Sequence, residues 1–198
     1  MTLTLGSGNL IFGPVEGWED LHEGWAFVDV AGVAVDSGDN VYVFNRGEHP
    51  VVVFDREGNF LRSWGEGAFT KRTHGIHIGP DDSVYWIDDE MHVVQSSLPK
   101  ESCSYPWALP TGLLSSGEAS SSTDPPTPRY RPLLGICTSP TAMANVYIAD
   151  RENHRIQVFD SDGRFLTMWN NIHRPDGLCL DADQNLYVGE LNGFWGTV

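Results

Sequence analysis

The chain has 198 residues, 40% hydrophobic and 20% charged, enough for a globular fold with its own core. Twelve Lys and Arg against 27 Asp and Glu leave a formal net charge of -15, which weighs against a nucleic-acid backbone or an anionic membrane as partner. Cys103, Cys137 and Cys179 are far apart and odd in number, which excludes a disulfide framework or a Cys-x-x-Cys metal knuckle.

Residues 1–27 carry neither a basic leader nor a long apolar run, so no signal peptide is expected. No window reaches the length of a membrane span, and the expected compartment is cytoplasmic. From residue 32 the pattern becomes regular. "VAV" is followed by the turn "DSGDN", where Asp, Gly and Asn supply the backbone conformations of a tight hairpin. "VYVF", a polar turn "NRGEH", "VVVFD", a turn "REGN" and "FLRSWG" follow, giving four short antiparallel strands over residues 32–65.

The unit recurs. "HGIHIGPDDSVYWIDDEMHVVQ" (74–95), "NVYIADRENHRIQVFDSDGRFLTMW" (145–169) and "PDGLCLDADQNLYVGELNG" (175–193) align with it. Four strands in about 40 residues is the pattern of a β-propeller blade. The tyrosines at 42 and 85 fit that step, as do those at 147 and 187, but the interval from 85 to 147 is neither one blade nor two.

The break falls in 96–144, a Ser- and Pro-rich stretch without a period of 2 or 3.6. One allowed set of codons for Ile136–Asn145, read one frame earlier, yields D-L-Y-I-S-D-G-Y-G-N, a strand and turn of the blade pattern. Two accounts stay open, an out-of-frame segment and a genuine insert loop. On either, the "VYIADRENHR" strand lacks a first strand before it. The expected organisation is blades over 1–95, an irregular segment over 96–144 and blades over 145–198. The fold class is all-β: about four blades of a partial propeller.

"NVYIADRENHRIQVFDSDGRFL" looks like an NHL repeat, and "NVYVFNRGEHPVVVFDREGNFL" like a variant of it. Within that group, "FNRGEH" (44–49) and "THGIHIG" (73–79) resemble motifs of the peptidyl-α-hydroxyglycine α-amidating lyase family. The resemblance implies a six-bladed ring that cleaves a C–N bond at a zinc held by three histidines, with an arginine and a tyrosine beside it and a structural calcium. Carried over by position, Arg46 is the site arginine and His74 the first zinc ligand. The tyrosine's "DGY" turn is missing, the second histidine belongs to an absent blade, and Asp176 stands where the third would be, with His173 three residues early.

The expected function is therefore an amidating-lyase-like NHL propeller, incomplete and inactive in this form, with zinc and calcium as its implied ions. The alternatives are a non-catalytic module that binds a peptide or protein, and an incomplete product without a function of its own. An unclosed ring also leaves sheet edges and blade faces that favour self-association. His49, His77, His92 and His154 lack ligand spacing. The acidic runs 88–90 and 150–153 read as hairpin-bonding residues rather than cation sites. Trp18, Trp25, Trp64, Trp86 and Trp169 read as packing between blades, with Trp64 and Trp169 at equivalent positions.

Overall fold

The computed structural model describes residues 4–91, 93–97, 135–138 and 145–191. His92 and most of the 96–144 segment lie outside them. The described chain is a series of small antiparallel sheets. A hairpin, β1 (Leu5–Ser7) and β2 (Leu10–Phe12), comes first. The first blade follows in meander order: β3 (Val30–Val35), β4 (Val41–Asn45), β5 (Val51–Phe54) and β6 (Phe60–Trp64). The second blade has β7 (Thr73–Ile78), β8 (Val84–Asp88) and β9 (Val93–Ser97). The third has β10 (Gly135–Thr138), β11 (Val146–Asp150), β12 (Arg155–Phe159) and β13 (Phe165–Asn170). The fourth has β14 (Pro175–Leu180) and β15 (Leu186–Glu190).

Consecutive blades touch through their first strands: β3 lies against β7, β7 against β10, and β10 against β14. That arrangement is a partial β-propeller, with the first strand of each blade innermost.

The strands are specified by their turns. In the first blade, Asp36 Oδ1 accepts from the backbone N–H of Gly38 and Asn40, both at 2.9 Å. Its Oδ2 accepts from Asn40 Nδ2 at 2.8 Å and from the Tyr42 hydroxyl at 3.0 Å. The fourth blade repeats this wiring. Asp181 accepts from the N–H of Asp183 and Asn185, from Asn185 Nδ2 and from the Tyr187 hydroxyl. In both turns the fourth residue adopts a left-handed conformation, Asp39 at φ 62 and Gln184 at φ 66, and Asp82 of the second blade does the same at φ 62. A type I turn closed by one left-handed residue is a standard three-residue hairpin, so the Asp-x-x-x-Asn-x-Tyr spelling encodes a geometry. The β5–β6 and β12–β13 turns use Asp55 and Asp160 likewise, with Gly58 and Gly163 left-handed. A Cβ on Gly58 would run into the Trp18 carbonyl oxygen, so that position also needs glycine for close approach.

The core lies between blades. Tyr42, Phe44, Val51, Val53 and Trp64 of the first blade pack on Val84 and Trp86 of the second, with Ile76 and Ile78 beside them. Tyr85, Ile87 and Val94 pack on Val146, Ile148 and Phe159 of the third. The outer back of the first blade (Val43, Val52, Phe54) is covered by Trp18, Leu21 and Phe27.

Three expectations need correction. The third blade does have a first strand. Gly135–Thr138 pairs antiparallel with β11 over Gly135↔Ala149 to Thr138↔Val146, so a strand lies inside the segment read as irregular. Four residues are too few for periodicity to declare themselves. Trp64 and Trp169 do occupy the same register, each four residues beyond the phenylalanine that opens the last strand. Trp64 is buried, but Trp169 is 41% exposed, because the blade that follows it contributes only two described strands. The hairpin β1–β2 was not anticipated.

Candidate functional site

The second strand of each blade ends on a polar residue: Asn45, Asp88, Asp150 and Glu190. The first three are buried, and all four fasten loops. Asn45 Oδ1 accepts from the N–H of Val28 and Gly47. Asp88 accepts from the Thr70 N–H at 2.7 Å, the Thr70 hydroxyl at 2.8 Å and the N–H of Glu90 and Met91. Asp150 holds Arg155 Nε at 2.6 Å, Asn153 Nδ2 at 2.7 Å and Gln157 Nε2 at 3.1 Å. Glu190 Oε1 accepts from the His173 N–H. Asp88 and Asp150 are thus occupied by hairpin and loop bonding, as the sequence suggested for the runs 88–90 and 150–153, and Asn45 and Glu190 fasten loops in the same way.

The residue after each of these posts is presented on the same face of the fold. Its backbone N–H is tied to the loop entering its blade, Arg46 to the Asp29 carbonyl, Asp89 to that of Arg72 and Leu191 to that of Arg174. Side chains at this position are Arg46, Asp89 and Arg151 in the first three blades. Facing them, at the second residue of the first strand, are His74 in the second blade and Asp176 in the fourth. Their preceding residues share one register, Thr73 paired with Asp88 and Pro175 with Glu190.

His74 is the meeting point of this face. Burial pushes its imidazole below the ordinary histidine value, Asp89 and Asp176 pull the other way, and Arg46 and Arg151 reinforce the shift. Charges from all four blades therefore act on one half-buried imidazole. Arg46 donates from Nε to the Thr73 carbonyl at 3.1 Å, which fixes its stem beside His74. The two residues singled out in the sequence are thus neighbours across a blade boundary.

Asp89 is engaged. Arg72 donates to it from Nε and Nη2, both at 2.7 Å, a bidentate pair. Arg151 Nε lies 2.8 Å from Glu152 Oε1, which also accepts from Arg174 Nη2 at 2.7 Å. The Glu152 carboxyl is held below its ordinary range by that Arg174 bond first. His154 and His173 face each other at 5.3 Å between ring centroids. His49 stacks on Trp25 at 3.3 Å and pairs through Nδ1 with Glu66 at 3.0 Å. His77 is pushed down to about 4 by burial.

Zinc wants three or four converging ligands. Among the described residues, no group of three His, Cys, Asp or Glu side chains is placed to hold a metal ion. Around His74 the carboxylate of Asp89 is spent on Arg72, so the described residues there do not assemble a zinc ligand set. The sequence placed Asp89 and Arg151 only in the hairpin-bonding runs 88–90 and 150–153, not on a face shared with Arg46 and His74. The signal was available in the repeat itself, since both align with Arg46 one residue past the second strand.

Residues 143–159, which include the β11–β12 hairpin, match the NHL repeat family. No curated protein matches the sequence. Among solved structures, a streptogramin B lyase superposes with TM-score 0.60 at 11% identity, over 82% of this chain and 49% of that one. An inactive virginiamycin B lyase variant from Staphylococcus aureus, crystallised with quinupristin, gives 0.58 at 13%, over 82% and 49%. A nidogen/laminin complex gives 0.58 at 19%, over 81% and 56%. At such identities the likeness is one of fold. The chain spans about half the length of these structures. Among the described residues, no helix is long and apolar enough to cross a membrane.

Proposed function

We propose that the chain is a propeller unit that resembles an amidating lyase without catalysing that reaction in this form, and that its His74 face holds a peptide or protein ligand. The placement of Arg46 beside His74 by its bond to the Thr73 carbonyl, with Asp89, Arg151 and Asp176 at equivalent blade positions, carries this reading. Guanidinium groups donate to peptide carbonyls or a carboxylate, Asp176 accepts from amides, and a neutral imidazole does either. The nidogen/laminin complex supports it by analogy of fold, as a related fold found with a protein partner.

The competing reading makes His74 a zinc ligand and Arg46 the substrate arginine. Zinc, when bound, would polarise the substrate hydroxyl. It requires three histidines, His74 among them, converging on one ion, and among the described residues no such group is placed to hold a metal.

Metal analysis and peptide-library binding on the purified full chain separate the two. We expect no stoichiometric zinc, and a peptide affinity that falls at least about 10-fold in Arg46→Ala. Zinc at one per chain, lost in His74→Ala, overturns the binding reading in favour of the lyase. Peptide binding indifferent to both substitutions overturns the choice of face.

A further inference from the structure

Two exposed histidines face each other across the boundary between the third and fourth blades. His154 closes the loop between β11 and β12, and His173 lies in the loop from β13 into β14. Their ring centroids are 5.3 Å apart, with the planes tilted by 45°.

Backbone bonds hold the two loops together. The His154 carbonyl accepts from the Ile172 N–H at 3.3 Å, and His154 Nδ1 accepts from the Arg174 N–H at 3.4 Å. Both residues flanking His173 are therefore tied to His154. His173 itself donates from its N–H to Glu190 Oε1 at 2.8 Å, and Arg174 Nη2 reaches Glu152 at 2.7 Å.

The same loops hold an unusual backbone. Among the described residues, six other than glycine are left-handed. Asp39, Asp82 and Gln184 belong to the hairpin turns of the first, second and fourth blades. The other three are His154 at φ 55, Asn171 at φ 66 and Arg174 at φ 44, one in the pair and two beside it. Such a conformation is unfavourable for these residues and persists where surrounding bonds over-determine it. The comparison with the first blade is direct. His49 occupies the position of His154, two residues before the partner of the second strand's last apolar residue (Phe44↔Val51, Ala149↔Ile156). His49 spends its ring on Trp25 and Glu66, whereas the ring of His154 is turned to a second imidazole.

A backbone N–H can only donate, so His154 Nδ1 carries a lone pair aimed at the segment that bears His173. Imidazole nitrogen binds zinc at about 2.0–2.1 Å, which puts the ion about 3.2 Å from a ring centroid. Centroids 5.3 Å apart then subtend about 110° at a shared ion, close to the tetrahedral angle. A hydrogen bond of 3.4 Å is weak and is displaced at little cost.

We propose that His154 and His173 bind one divalent ion of the zinc type, with water completing its shell, and that the ion staples the third blade to the fourth. Neither His74 nor Arg46 takes part. A net charge of -15 favours a cation, and the guanidiniums of Arg151 and Arg174 are both engaged by Glu152. With two protein ligands the ion is held loosely, so it is lost on purification and regained when supplied.

Zinc titration of the untagged, chelator-treated full chain tests this, read by calorimetry and by urea unfolding. We expect one zinc per chain and an unfolding midpoint that rises in about 0.1 mM zinc. His154→Asn, which tolerates the left-handed backbone, and His173→Asn should each weaken binding at least about 10-fold and abolish the rise, with the double variant little weaker than either. His173→Cys, which offers a thiolate in place of the imidazole, should keep both. His49→Asn should leave zinc binding unchanged. Circular dichroism checks that each variant is folded. Zinc binding that survives either asparagine variant is adventitious and overturns the proposal. Uptake abolished by His74→Ala, no uptake at all, or an unfolding midpoint indifferent to zinc overturns it as well.

Discussion

His77 makes the stability of this protein depend on pH in a window above that of the carboxylates held below their ordinary values. It lies on β7 opposite Tyr85, on the strand face turned away from the first blade, and burial there pushes its pKa down to about 4 from 6.5. Between those values the unfolded chain binds a proton that the folded chain refuses, so stability is full above pH 6.5 and falls as pH drops toward 4. At about pH 5 the loss from this one group is about 2 kcal/mol, approaching ~3 kcal/mol below pH 4. Asp36, Asp55, Asp181, Glu66 and Glu152 are all held below their ordinary values, so they surrender their stabilisation only at lower pH. His74 shifts in the same direction as His77. The comparison with His77→Gln removes its contribution. Urea denaturation of dilute protein between pH 7.5 and 5 should show the variant losing about 2 kcal/mol less than the parent over that span. Parallel stability curves for the two would refute the assignment of that titration to His77.

Trp64→Ala should cost about 3–5 kcal/mol, since the indole fills the seam between the first two blades, whereas Trp169→Ala should cost about 1 kcal/mol in monomeric protein; thermal or urea unfolding compares them. Asp36→Ala removes the acceptor of four hydrogen bonds, including that of the buried Tyr42, and should cost about 2 kcal/mol against about 1 for Asp181→Ala at its exposed twin, measured in the same way. Asp150→Asn removes the charge of the buried carboxylate that Arg155 Nε meets at 2.6 Å and should destabilise by about 3 kcal/mol, with Arg155→Met in addition recovering much of that loss; urea unfolding measures both. The coding DNA across 96–145, read one frame earlier, should spell D-L-Y-I-S-D-G-Y-G-N ahead of Val146; any other reading there leaves a genuine insert.

The blades were legible because their turns are spelled out. Asp36, Asn40 and Tyr42 announce a hairpin whose hydrogen bonds the structure then displays, and the same letters return at Asp181, Asn185 and Tyr187. β10 was illegible because Gly135–Thr138 is four residues followed by no such turn signature, so its pairing with β11 is a tertiary fact. Burial was legible only where a blade follows: nothing in Trp169 or Tyr187 distinguishes them locally from Trp64 and Tyr42. The candidate site divides the same way. Arg46 and His74 stood out through resemblance to a family, but their adjacency depends on the Arg46–Thr73 bond across a blade boundary. Asp89 and Arg151 join them because the ring brings equivalent positions together, which a linear reading reaches only by aligning the repeats.

The aspartate-locked hairpins have a consequence for how such a chain assembles and varies. Each lock closes a loop of only a few residues and draws on no other blade, so the entropy of ordering it is small and local. Formation can begin at either end, and neither end waits for the ring. The information for a hairpin is held within about seven residues, which makes the blade a unit that can be copied, lost or divided between chains while its neighbours keep their own shape. What cannot be divided is the seam: Tyr187 carries a complete lock and still lacks a floor to stand on. In a molecule built this way, hairpins are a private property of each segment, and burial is a shared one.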